Sequence, residues 1–299
     1  MTYGDRAAMI GAAGATSPGP DPGGDVDESN VPVEPSRFAP DLLAGRVALV
    51  TGGATGIGKE ICRVLGAHGS AVVMASRKQE QLEAAVAELS AEGIDASFGV
   101  CDVRDAEAVR AVVDGVVSER GALDIVVNNA AGNFPAPMSA ISPNGFKAVV
   151  DIDLLGTYNV TKASFEAWMR EHGGSIVNIS APFEQRGVVY QAHVAAAKSG
   201  VDSLTRTCAV EWGPYGIRVN AIAPGSMLGT EGLKRFAEAV PGGVPRKPSN
   251  PLGRHGHGSD IAYLALFLCS PMARFVSGQV IAVDGAGSAD MLRLGAGPI

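Results

Sequence analysis

The sequence predicts an α/β fold, doubly wound around a seven-stranded parallel sheet. Three observations carry that reading. From Gly45 onward, short Val/Ile/Ala-rich runs alternate with stretches of helical period. The runs are continuously apolar, the pattern of strands covered on both faces by helices. The chain has 299 residues, 46% of them hydrophobic, enough to bury a core of that size.

Taken in order, residues 1–36 are rich in Gly, Pro, Ala, Ser and Asp, and the stretch Ser17 to Gly24 suits neither helix nor strand. A disordered leader is expected there, followed by a single domain over 37–299. The leader lacks the basic and apolar regions of a signal peptide and is too acidic and Arg-poor for a transit peptide. The expected strands are Val47–Val50, Ala71–Ala75, Ala96–Val100, Ile125–Val127, Ser175–Ile179, Arg218–Ile222 and Val280–Val283. No repeat of fixed period is present. The longest helical apolar run, Ile261 to Cys269, is about half of the roughly 20 residues a bilayer requires. A net charge of −7 offers no attraction to nucleic acid or an anionic membrane, so neither partner is expected. Cys62, Cys101, Cys208 and Cys269 are widely spaced and read as reduced core thiols. The chain ends Gly297-Pro298-Ile299, unlike a Ser-Lys-Leu address, which leaves the cytoplasm as the expected compartment.

The first strand runs into a glycine-rich turn, Thr51-Gly-Gly-Ala-Thr-Gly-Ile-Gly58, and a helix is expected from near Ile57. Glycines let backbone approach a pyrophosphate closely, and the free N–H groups of a helix N-terminus attract its charge. This makes Gly52, Thr55, Gly56, Ile57 and Gly58 the expected dinucleotide contacts of a Rossmann-type fold. At the end of the second strand, an NAD-specific site would carry an acidic residue for the ribose 2′-hydroxyl. Ser76-Arg77-Lys78 stands there instead. A guanidinium pairs with a 2′-phosphate, so Arg77 points to NADP(H).

Together with that turn, Asn128-Asn-Ala-Ala-Gly132 and Arg218-Val-Asn-Ala-Ile-Ala-Pro-Gly225 resemble the short-chain dehydrogenase/reductase superfamily, over about Asp41 to Gly287. The resemblance implies that Asn129 lies beside the adenine ribose, that Pro224 and Gly225 line the nicotinamide pocket, and that Asp102 contacts the adenine edge. It also implies a homotetramer.

The sequence departs from the usual Tyr-x-x-x-Lys of that superfamily. Lys198 fits the lysine, but Val194 stands at the Tyr position and Ala181 at that of the substrate-binding Ser. Ser180 is one residue out of register. Tyr190 lies eight residues before Lys198, which on a helix is about two turns or roughly 12 Å. Either the chain is a catalytically silent NADP(H) binder, or hydride goes to carbon and no alkoxide needs a phenol. Ala130-Ala-Gly-Asn-Phe134, Asp151-Ile-Asp153, His193 and Gly229-Thr-Glu-Gly-Leu233 resemble 2,4-dienoyl-CoA reductases, above all the peroxisomal type and its bacterial relatives. That resemblance implies a catalytic pair of Asp153 and Lys198, with Asn133 and Phe134 binding an acyl-CoA substrate and Asn133 donating to the thioester oxygen. It implies NADPH-dependent reduction of a 2,4-dienoyl-CoA in fatty-acid β-oxidation. A carbonyl or 3-oxoacyl-thioester reductase is the alternative.

Asp151, two residues from Asp153, is expected to face elsewhere, and His193 to be a packing residue or a proton shuttle. His255 and His257 lack metal-ligand spacing and read as loop residues, so no metal is expected. The Gly/Pro-rich stretch from Ser226 to Arg254 holds Lys234, Arg235, Arg246 and Lys247. It reads either as a substrate lid suited to the phosphates of coenzyme A or as a solvated helix and loop.

Overall fold

The computed structural model describes residues 36–183, 187–239 and 250–289. Its strands are β1 (Val47–Thr51), β2 (Ala71–Ser76), β3 (Ala96–Val100), β4 (Ile125–Asn128), β5 (Gly174–Ile179), β6 (Ile217–Pro224) and β7 (Val280–Val283). They form one parallel sheet in the order β3-β2-β1-β4-β5-β6-β7. Each expected strand is present within three residues at either end. The apolar runs have a direct cause: β1 and β4 are buried at every position. The edge strand β3 is only half-buried and carries Ser97, whose hydroxyl receives Arg120 at 2.9 Å, a polar contact that blunts an open edge.

Helices cover both faces. On one, α1 (Gly56–Ala67), α2 (Gln79–Ala91) and α9 (Gly258–Cys269) contribute Ile61, Leu65, Leu82, Leu89, Ile261 and Leu266 to a common core. On the other, α3 (Ala106–Arg120), α5 (Gly156–Ser164) and α7 (Ala192–Trp212) pack Val109, Val113, Val160 and Cys208 against Val126, Ile176 and Val219. Each fully buried aliphatic side chain contributes about 1.5–3 kcal/mol, so the two layers hold the sheet from both sides. All four cysteines are buried and unpaired. Burial pushes the thiols up, to about 11 at Cys101 and Cys208 and about 12 at Cys269, which suppresses thiolate chemistry.

Two features position the site. The chain runs outward from β1 to β3 and then returns to β4 on the other side of β1, which opens a crevice beyond the strand ends where the winding reverses. In addition, α4 (Pro143–Val150) passes through a π-helical turn, Asp151–Leu155, into α5; a second π turn, Phe165–Met169, leads to α6 (Arg170–His172). Such wide turns re-aim the side chains they carry. Here Asp153 is fully buried, while Asp151 turns outward to pair with Lys147.

Several sequence expectations need correction. His257 is not simply a loop residue: it caps α9, its ring accepting the Ser259 N–H at 3.2 Å while Asp260 accepts the His257 N–H at 2.9 Å. His255 is buried and bonded to Ser226 at 2.8 Å. Tyr190 precedes α7 with a left-handed backbone, φ 67°, so spacing along a helix does not describe it. Ser36 is tied in by its hydroxyl, 2.8 Å from His68 Nε2. Residues 1–35 of the expected leader, and Arg246 and Lys247 of the basic stretch, lie outside the described residues.

Candidate active site

The glycine-rich turn is built for close approach. Gly52 and Gly56 have φ of 63° and 53°, a left-handed geometry that disfavours side chains. A Cβ on Gly56 would enter open space, whereas one on Gly58 would lie 2.3 Å from the Gly52 oxygen and 2.4 Å from Asn129 Nδ2. Thr55 caps α1 in extended conformation without a side-chain bond, so the N–H groups of the first turn stay available to an anion. The Thr51 hydroxyl accepts the N–H of Asn129 at 3.0 Å and of Ala130 at 3.1 Å. Asn129 Nδ2 then donates to the oxygens of Thr51 and Gly52 at 3.0 and 3.2 Å. The donors of Asn129, expected beside the adenine ribose, thus tie the end of β4 to the turn. Pro224 ends β6 and Gly225 follows it; a Cβ on Gly225 would meet Asp284 Cα at 2.7 Å.

One arm of the crevice, about 290 Å³, is lined by Ser76, Arg77, Lys78, Gln81 and Asp102. The Arg77 side chain is 59% exposed and reaches Asp102 at only 3.9 Å. Asp102 is held by Arg104, whose guanidinium donates to it at 2.6–3.1 Å and keeps its carboxyl below the usual range. The guanidinium of Arg77 therefore faces solvent at the end of β2.

The other arm, about 820 Å³, is walled by Lys198, Asn133, Ser180, Gln191, Pro224 and Phe236. Lys198 is buried; its ammonium donates to the Ile179 carbonyl at 2.7 Å and stands 3.5 Å from Asp153 Oδ2. Asp153 lies behind this wall, and its Oδ1 accepts the Gly132 N–H at 2.6 Å. One carboxylate thereby fixes both the lysine and the loop bearing Asn133 and Phe134. Gly132 is needed for that approach, since a Cβ there would meet Ile152 Cδ1 at 2.8 Å.

Asn133 Nδ2, the expected thioester donor, is already bonded to Gln191 Oε1 at 3.0 Å. Phe134 sits edge-on over His193, ring centres 4.4 Å apart, and its carbonyl lies 3.0 Å from His193 Nε2. Because a carbonyl only accepts, Nε2 carries the proton and Nδ1 is a bare acceptor. Burial lowers the His193 pKa, against the Phe134 bond and the Asp153 charge, which raise it. Val194 occupies the Tyr position as a buried packing residue, and Tyr190 gives the site only a backbone oxygen, to Ala136 N–H at 3.1 Å.

Among the described residues, five buried polar atoms at or just behind this wall lack a hydrogen-bond partner: Asp153 Oδ2, which faces only the Lys198 ammonium, Asn133 Oδ1, Ser180 Oγ, Gln191 Nε2 and His193 Nδ1. Native proteins pair most such atoms, and three of these, Asn133 Oδ1, Ser180 Oγ and Gln191 Nε2, belong to residues that line the crevice, where a ligand would reach them. Gln191 carries no motif and went unremarked in the sequence; its one signal is its place just ahead of the helix that bears Lys198. On α8 (Glu231–Ala239), Arg235 donates to the Asn133 carbonyl at 3.1 Å and Lys234 is exposed. Among the described residues, no group of three His, Cys, Asp or Glu is arranged to hold a metal, and no helix is long and apolar enough to cross a membrane.

Comparison with known proteins points to one family. The family described as enoyl-(acyl carrier protein) reductase matches residues 52–287. A peroxisomal 2,4-dienoyl-CoA reductase, (3E)-enoyl-CoA-producing, from Rattus norvegicus is 47% identical over 249 residues, 83% of this chain and 85% of its own. A probable 2,4-dienoyl-CoA reductase, (2E)-enoyl-CoA-producing, from Bacillus subtilis is 40% identical over 80% of this chain and 95% of its own. Among solved structures, a citronellol catabolism dehydrogenase from Pseudomonas aeruginosa superposes with a TM-score of 0.75 at 40% identity, covering 85% of this chain and 99% of that one.

The lowered His193 pKa sets a pH dependence. The unfolded chain, with an ordinary His near pH 6.5, binds the proton more readily than the fold does, so this group's contribution is intact above that pH. It is lost as pH falls from there towards the lower folded value. Urea denaturation at pH 7.5 and 5.5 should show a smaller loss of stability on acidification for His193→Gln than for wild type. Equal losses would refute the assignment.

Proposed function

The chain belongs to the short-chain dehydrogenase/reductase family, and from that premise we propose that it reduces a 2,4-dienoyl-CoA with NADPH, as a step of fatty-acid β-oxidation. The observation that carries this reading is the buried Lys198–Asp153 pair, 3.5 Å apart, in a site with no phenol at the usual position. A ketone reductase must protonate an alkoxide as it forms, whereas reduction at carbon needs a held enolate and a proton delivered afterwards.

The free first-turn N–H groups of α1, the open side of Gly56, and Thr55 and Ile57 suit the pyrophosphate of a dinucleotide. Bound NADPH would supply hydride to the far carbon of the conjugated dienoyl thioester. Electron density then runs to the thioester oxygen, and the chain must hold that charge and return a proton to carbon. Lys198, anchored by the Ile179 carbonyl, keeps further N–H donors for a ribose hydroxyl and for a water at the reacting centre. Asp153 Oδ2, with no hydrogen bond of its own, faces that ammonium and takes up or relays the proton. Oδ1 is committed to Gly132, so Asp153 acts from behind the wall and through Lys198. Phe134 and Asn133 form the edge of the loop against which the acyl chain would lie. Lys234 and Arg235 would meet the phosphates of coenzyme A.

Preference for NADPH rests on Arg77 and Lys78, with the nearest carboxylate, Asp102, taken up by Arg104. The oligomer is proposed as a homotetramer: Leu154, Leu155 and Tyr158 form a shallow apolar groove with Gly200 and Leu204 of α7, a face suited to a second copy. We place the enzyme in the cytoplasm, where unpaired buried thiols persist; cell fractionation showing peroxisomal enrichment would reverse this.

Loss of NADPH absorbance should be rapid with a 2,4-dienoyl-CoA and slow with a 3-oxoacyl thioester. Lys198→Ala and Asp153→Ala should each lower kcat by roughly 10²-fold or more. Dienoyl turnover surviving both substitutions would sink the mechanism. A faster 3-oxoacyl reaction would make this a carbonyl reductase, and tight NADPH binding without turnover a silent binder. Arg77→Asp should weaken NADPH by about 10- to 100-fold more than NADH, the scale of lost charged hydrogen bonds; equal losses would remove the case for NADPH. Light scattering should report four subunits, and a monomer would refute the proposed oligomer.

A further inference from the structure

We infer that Gln191 is the group that binds the thioester oxygen and stabilises the enolate, a role carried by the carboxamide N–H of Nε2. This rests on the reductase reading above and names a donor that the reading lacks. The usual hydroxyls are replaced by Val194 and Ala181, and Asn133 Nδ2 is spent on Gln191 Oε1 at 3.0 Å. In the proposed mechanism the remaining Lys198 donors go to the ribose hydroxyl and a water. Two further donors without a hydrogen-bond partner line the crevice, the Ser180 hydroxyl and the Gln191 carboxamide; a hydroxyl turns freely, whereas the amide is held in one direction by Asn133.

Gln191 fits on three counts. It is 3% exposed, so its side chain is fixed by packing. It lines the same crevice as Lys198 and Asn133. Its Nε2 is buried and has no acceptor among the described residues. Burying an amide donor without a partner is unfavourable, and an arriving carbonyl removes that penalty. The bond to Asn133 also sets the direction of that donor: an amide is planar, so holding Oε1 leaves Nε2 one orientation in which to meet an oxygen. Turning both amides over would exchange the roles, yet the pair would still keep one free N–H2 group and one free carbonyl. A neutral donor matches this chemistry. It binds a neutral thioester modestly and an oxygen gaining negative charge more strongly, which is the difference that lowers a barrier.

The test uses the full-length enzyme and a 2,4-dienoyl-CoA. A hydrogen bond to the thioester carbonyl extends polarisation through the conjugated chain, so binding to enzyme loaded with NADP⁺ should shift the dienoyl absorbance to longer wavelength. Gln191→Leu should abolish the shift and lower kcat by about 10²–10³-fold, the usual loss for one oxyanion donor. NADPH affinity, read from cofactor fluorescence, should not change. Gln191→Glu keeps the shape and the acceptor for Asn133 but loses the N–H, which guards against a folding defect. Its activity relative to wild type should rise as pH falls and the carboxyl gains a proton to donate. Wild-type turnover with both shift and kcat retained in Gln191→Glu at pH 8 overturns this assignment alone. A shift kept in Gln191→Glu but lost in Asn133→Asp transfers the donor to Asn133 and overturns it too. Absence of dienoyl turnover in wild type overturns the function and this role together.

Discussion

The site depends on one buried charge. Asp153 is removed from solvent, and a carboxylate so placed is tolerable only when paired and hydrogen-bonded. Its two oxygens divide that work: one accepts the Gly132 N–H, the other faces the Lys198 ammonium. The π turn that carries it is joined through these contacts to the loop after β4 and to α7, elements far apart in sequence. Taking the carboxylate away would free the loop and also strand the lysine as a buried cation without its partner.

The topology prepares the ground for that charge. Parallel strands end together, and the reversal of winding between β1 and β4 leaves room above them. Two small polar groups then keep the rim rigid. The Thr51 hydroxyl gathers two backbone N–H groups from the segment after β4, and Asn129 returns the contact to the glycine-rich turn. Deeper in, Asn128 bonds Thr161 and Asn178 at 2.8 Å, and Asn178 bonds Thr205 at 2.8 Å, linking β4 and β5 to α5 and α7. Buried polar networks of this kind fix helices against a sheet more specifically than apolar packing does.

How much was legible in the sequence follows from where the information is local. The strands could be read because burial on both faces leaves continuous apolar runs, and the turn because only glycine fits at Gly52 and Gly58. Val194 at the Tyr position could likewise be read once the superfamily's Tyr-x-x-x-Lys is aligned on Lys198. Partnership could not. Nothing in the sequence around Asn133 says that its amide faces Gln191 across 58 residues of chain, or that Asn129 turns its donors inward. The π turns have no compositional signature, although the divergence of Asp151 from Asp153 could be read from their two-residue spacing. His257 read as loop because imidazole is an uncommon cap, and only the geometry of Ser259 and Asp260 reveals it.

The two ends of the dinucleotide crevice differ in how freely they can change. At the glycine-rich turn, a single added carbon on Gly58 collides with backbone, so that end is closed to variation whatever selection favours. Arg77 sits at the opposite end, largely in water, with one loose contact and no role in packing. On the proposed reading, in which Arg77 holds the 2′-phosphate, redox coupling is separable from architecture: a lineage can exchange one nicotinamide pool for another at Arg77 while the glycine-rich turn, the sheet and the buried carboxylate stay as they are. In this fold the choice of electron source is the part most open to evolutionary drift.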